Sequence, residues 1–106
     1  MSKFLIEASY TAAGLKGLQN DKASGRLEAL TRAVQSLGGK VESMHFALGK
    51  DDVIAILDLA DAAAAAALGV AVSATGLVRT RATALLTVDE MDQALTRSPV
   101  YRGPGQ

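Results

Sequence analysis

Apolar positions along this chain switch between a period of two and a period of three to four, and each switch marks an element. Phe4, Ile6 and Ala8 alternate with polar neighbours and Leu5, which predicts a strand over Lys3–Ser9. Tyr10 to Leu18 is broken by Gly14 and Gly17 and reads as a loop with a short helical turn. From about Asp21 the spacing changes: Ala23, Leu27, Leu30, Val34 and Leu37 form one stripe of an amphipathic helix, with Arg26, Glu28, Arg32 and Gln35 opposite. Gly38-Gly39 ends it, because glycine tolerates the left-handed conformation at a helix C-terminus. Lys40–Leu48 returns to alternation, with Glu42, Met44, Phe46 and Leu48 on one side and Val41, Ser43, His45 and Ala47 on the other. Gly49-Lys50-Asp51-Asp52 then turns the chain into a hairpin.

The most informative run is Val53–Leu59, apolar on both parities: Val53, Ala55, Leu57 and Leu59 point one way, Ile54 and Ile56 the other. A strand buried on both faces belongs in the middle of its sheet. Asp61 caps an alanine-rich helix through Val72, closed by Thr75-Gly76. Val78–Leu86 is the fourth strand, with Val78, Thr80, Ala82, Ala84 and Leu86 opposite Arg79, Arg81, Thr83 and Leu85. Thr87-Val88-Asp89-Glu90 has the form of a capping box and opens a short helix through Leu95. The order strand, helix, strand, strand, helix, strand defines an α+β, ferredoxin-like βαββαβ plait with an antiparallel four-stranded sheet. Both crossover helices cover one face. The other face carries the second apolar row of the third strand and the apolar set of the second strand, and a face that apolar is rarely left in water. The expectation is a homo-oligomer, a dimer or higher, in which two sheets pair face to face as a dimeric α/β barrel, with a cleft between sheet and helices in each chain. Residues 1–95 form the domain, and residues 96–106 are a tail that is flexible or laid on a partner.

Composition narrows the partners. Lys plus Arg and Asp plus Glu both number 11, so the formal net charge is zero and no basic footprint points to nucleic acid or an anionic membrane. The chain has no cysteine, hence no disulfide framework, thiolate nucleophile or cysteine-ligated zinc. Val53–Val72 has the length of a membrane span, but Asp58 and Asp61 near its middle would each cost about 2.5–3.5 kcal/mol at a bilayer centre, so it reads as strand plus helix. The start passes straight into a strand with no signal-peptide apolar region, and a cytoplasmic location is the default.

Tyr10-Thr11-x-x-Gly14, Leu37-Gly38-Gly39-Lys40, Leu48-Gly49-x-x-Asp52, the apolar strand, Asp61 before the alanines, and Val78-Arg79-Thr80 occur in an order that resembles the GYD domain family of small, mostly bacterial proteins. The resemblance spans Leu5 to Leu95 and implies a ferredoxin-like plait and oligomerisation, with little implied chemistry. Where the family has a Gly-Tyr-Asp signature at the hairpin, this chain reads Gly49-Lys50-Asp51-Asp52.

His45 is the one side chain whose ordinary pKa lies near neutrality, and it is the candidate acid/base of a cofactor-independent isomerase or monooxygenase-like enzyme, or a ligand to metal or haem; the competing account is a hydrogen-bonded histidine on a sheet face or interface. Arg79 and Arg81 alternate with small residues and could grip a carboxylate or phosphate, or simply charge an edge strand. Adjacent Asp51 and Asp52 fall short of a hard-cation site, and Asp52 is expected to close the turn. Gly14-Leu15-Lys16-Gly17 is a bare GxxG, and no phosphate loop, dinucleotide fingerprint, nucleophile elbow or zinc-protease motif is present. No metal and no cofactor is expected. The functional expectation is an oligomeric domain whose sheet–helix cleft binds or senses a small molecule, with Tyr10, Thr11, Asp52 and Arg79 as candidate ligand-binding residues and His45 as the candidate catalytic one. An enzyme using His45 and a purely structural oligomer are the alternatives.

Overall fold

The computed structural model describes residues 1–106. Strand β1 (Ser2–Tyr10) is followed by α1 (Ala12–Ser36), β2 (Lys40–Phe46), β3 (Val53–Leu59), α2 (Ala62–Ser73), β4 (Val78–Leu85) and α3 (Val88–Leu95). The four strands are antiparallel in the order β2-β3-β1-β4, so the two-faced strand β3 does lie inside the sheet. This is a plait-like α+β fold. No helix is long and apolar enough to cross a membrane.

Capping explains where α2 and α3 begin. The Asp61 carboxylate accepts from the Ala64 N–H at 2.9 Å, and Thr87 and Glu90 exchange the two bonds of a capping box at 2.9 and 3.1 Å. Gly38 and Gly76 hold φ of +76° and +72° after α1 and α2, as helix-ending glycines do.

Two sequence expectations are corrected. Tyr10–Leu18 is not a loop: α1 starts at Ala12, because the Thr11 hydroxyl accepts from the Gly14 N–H at 3.2 Å and caps it. Gly14 is needed there, since a Cβ at that position would collide with the Leu77 carbonyl oxygen, against which the helix start is pressed. The helix is instead broken at Lys22, whose φ of 64° and ψ of 170° lie outside the helical region. The stripe expected after that point is partly right: Val34 is fully buried and Leu30 and Leu37 pack on the core, but Leu27 is exposed.

The second correction concerns β2. The register shifts between Val41 and Ser43, so Val41 pairs with Leu57, Met44 with Ala55, and His45 with Ile54. This bulge at Glu42 puts Val41 and Met44 on the helix-covered face, where both pack against the core, and His45 on the other. The second strand therefore adds no apolar set to the uncovered face.

The core is Phe4, Ile6, Ala55, Leu57 and Leu59 from the sheet, Val34 from α1, and Ala65 and Leu68 from α2. Helices α1 and α2 lie on this face, whereas α3 contains no buried residue. The opposite face is bare. Across it run Lys40, Asp58, Lys3 and Leu85, then Ser43, Ile56, Leu5 and Thr83, then His45, Ile54, Glu7 and Arg81.

Candidate functional site

A cleft of about 370 Å³ opens between the sheet and the two helices that cover it. Its floor is the helix-facing side of the strands, including Ile6, Ala8, Met44, Val53, Ala55 and Ala82. Leu18, Leu30 and Ala33 of α1 form one wall, and Leu68, Gly69 and Val72 of α2 the other. Of 24 lining residues 17 are hydrophobic, so the site selects for apolar contact first. Polar groups are few. Tyr10, Thr75 and Thr80 reach the wall, and the only charged residues are Asp21 and Arg26, which pair with each other at 3.4 Å. That pair leaves the cleft without net charge.

Small side chains create the space. Gly69 has only the Thr80 hydroxyl near the position of an added Cβ, at 3.6 Å, and nothing lies within 4 Å of one at Gly17. The alanines that let α2 rest on β4 thus also leave room that leucines would fill. The break at Lys22 separates the early turns of α1, which carry Gly17 and Leu18, from the later turns that carry Leu30 and Ala33.

Of the candidate ligand-binding residues, Tyr10 lines this cleft. Thr11 and Arg79 share a second, polar recess of about 320 Å³ with Ser73, Gly76 and Thr80. The Thr11 hydroxyl is committed there, donating to the Gly76 carbonyl at 3.0 Å while it caps α1, whereas Arg79 is in no ion pair. The Asp52 carboxylate accepts from the Tyr10 N–H at 2.8 Å, and its backbone joins Ala47 and Ala8. Asp52 therefore closes its turn, as expected, through the backbone bond its carbonyl accepts from Ala47, and also fastens the hairpin to β1 through its carboxylate and its own N–H. It lines neither space.

His45 sits on the exposed edge strand, facing away from the cleft beside Ile54, and its ring makes no hydrogen bond. The acid/base candidate and the cleft are on opposite sides of the sheet. Asp51 lies on the His45 side too. Burial would raise its pKa, but the Arg81 guanidinium at 2.7 Å and the Ser9 hydroxyl at 3.2 Å outweigh that and hold it below the ordinary carboxylate value. At the far end of the same face, Lys3 donates to Glu42 at 2.6 Å and to Asp58 at 2.9 Å, which raises its pKa, Glu42 contributing most.

Gly17, Gly69, Ala29 and Ala82 are lining residues that sequence reasoning missed. Their signal is smallness on the facing sides of sheet and helices, and for Gly17 it is readable only once α1 is known to begin at Ala12.

A family model, the GYD domain, matches residues 4–95, and the chain belongs to that family. No curated protein and no solved structure matches it.

Proposed function

We propose that this GYD-domain protein is a small-molecule-binding domain that works as an oligomer, and that its ligand is an apolar, uncharged molecule held in the sheet–helix cleft. The open cleft itself carries this reading. An open cleft of about 370 Å³ with a largely apolar lining falls in the range of about 300–1,000 Å³ typical of ligand pockets. A protein built only for assembly has no need of such a space. The paired Asp21 and Arg26 offer no unbalanced charge to an ionic ligand, while Tyr10 and Thr80 can each exchange a hydrogen bond with a hydroxyl or carbonyl. Self-association is supported by the bare sheet face, where Ile54 is 38% exposed at the middle of the sheet. No observation favours chemistry at His45, which lacks a polar partner to orient its ring.

The test is a titration with N-phenyl-1-naphthylamine, a neutral apolar dye that fluoresces on leaving water. The reading expects saturable binding of one dye per chain, competed by a long-chain alcohol more strongly than by the matching carboxylate. Ala82→Phe and Ala29→Phe, which place a ring in the cleft from β4 and from α1, should each weaken binding at least about tenfold. Unchanged binding in both variants would place the dye elsewhere and reject the site.

A further inference from the structure

Helix α3 spans eight residues, Val88–Leu95. An isolated helix of that length is not stable in water, where even alanine-rich peptides need about 12–15 residues. Yet α3 has a full capping box and an apolar stripe: Val88, Met91 and Leu95 recur at helical spacing behind Leu86, and they are 80%, 47%, 68% and, for Leu86, 63% exposed. Only two residues, Leu86 and Thr87, link it to β4, and it still finds no seat on its own chain.

The surface of the whole chain points the same way. A compact monomer of 10.9 kDa exposes about 5,600 Å², whereas this chain exposes 7354 Å². The surplus, roughly 1,800 Å², is shared by α3, the exposed residues 96–106 and the open cleft, and half of it would match the ~800 Å² that each partner commonly contributes to a stable interface.

We infer that α3 is an exchanged arm: its Leu86, Val88, Met91 and Leu95 stripe docks on the bare sheet face of a second copy, over Ile54 and Ile56, and receives the partner's arm in return. The inference rests on the self-association within the proposed function and names its surface. Ile54 and Ile56 are the uncovered parity of β3; Leu5 continues the apolar strip beside Ile56, and Lys3 and Asp58 at one end with Glu7 and Arg81 at the other would form the rim. Charge is complementary as well. Lys40 and Arg79 on that face are in no ion pair, and α3 brings Asp89 and Asp92, which are also unpaired. Reciprocal docking of identical surfaces gives a closed two-fold dimer.

The experiment uses the full chain, by light scattering coupled to size exclusion and by cross-linking. The wild type should be a dimer. Met91→Glu should weaken dimerisation at least about tenfold, with circular dichroism and dye binding retained, because Met91 touches neither core nor cleft. The chain has no cysteine, so the double variant Met91→Cys, Ile56→Cys should form a disulfide between chains on mild oxidation. A monomeric wild type would overturn the self-association reading itself. A dimer indifferent to Met91→Glu, or a disulfide closed within one chain, would overturn only the arm.

Discussion

Lys22 holds φ of 64° and ψ of 170°, a backbone region almost confined to glycine, and costs of order 1–3 kcal/mol to occupy with a side chain. It breaks α1 where the helix passes the cleft, next to Asp21. If the break is a fixed feature, Lys22→Gly should stabilise the protein by about 1 kcal/mol in urea unfolding. A helix that straightens in solution would instead lose about 0.5–1 kcal/mol from an interior glycine, so the sign decides. Gly14→Ala should be destabilising by about 1–3 kcal/mol or more in the same assay, because its methyl has no room against the Leu77 carbonyl. Asp51 adds a pH dependence. Its folded pKa is below the ordinary 3.8, so its contribution is present above that value and is lost as pH falls through the folded value. Asp51→Asn should therefore show a smaller drop in Tm than the wild type between about pH 6 and about pH 3.

At the scale of elements, the chain's letters revealed most of what local chemistry decides. Asp61 and Thr87 with Glu90 announced two helices, and the double apolar parity of Val53–Leu59 placed β3 inside the sheet. What stayed hidden depends on distant partners. Gly14 and Gly17 weaken any local case for a helix, yet Gly14 is there for a carbonyl on residue 77, and the hydroxyl of Thr11 caps the helix it seemed to precede. The bulge at Glu42 leaves no glycine or proline as a sign, and it moved His45 from an open question to the uncovered face. The sequence points to a cleft between sheet and helices and to Tyr10 on its wall, but not to the glycines and alanines of its lining, because small residues read as close packing until their neighbours are known. One consequence is testable at this scale. Ala82→Phe should raise stability by about 1–2 kcal/mol as it buries a ring in the vacant space, while it blocks the dye. A loss of stability would mean that the cleft closes in solution.

The molecule as a whole is extended for its size. Its radius of gyration is 16.8 Å with extents of 56 × 32 × 23 Å, against about 13 Å for a compact chain of this length. Only 12 of 106 residues are buried, so the single chain leaves two apolar surfaces unfinished: the cleft on the helix side and the bare face with α3 on the other. A ligand would complete the first and a second copy the second. The two can be told apart by where an apolar probe binds. The most direct measurement is the amide NMR spectrum of the labelled protein with and without a neutral long-chain alcohol. The proposed function predicts saturable shifts at Gly17, Gly69 and Ala82 around the cleft, with Ile54, Ile56 and Met91 unmoved. Shifts confined to Ile54, Ile56 and α3 would contradict it and leave the cleft without a ligand.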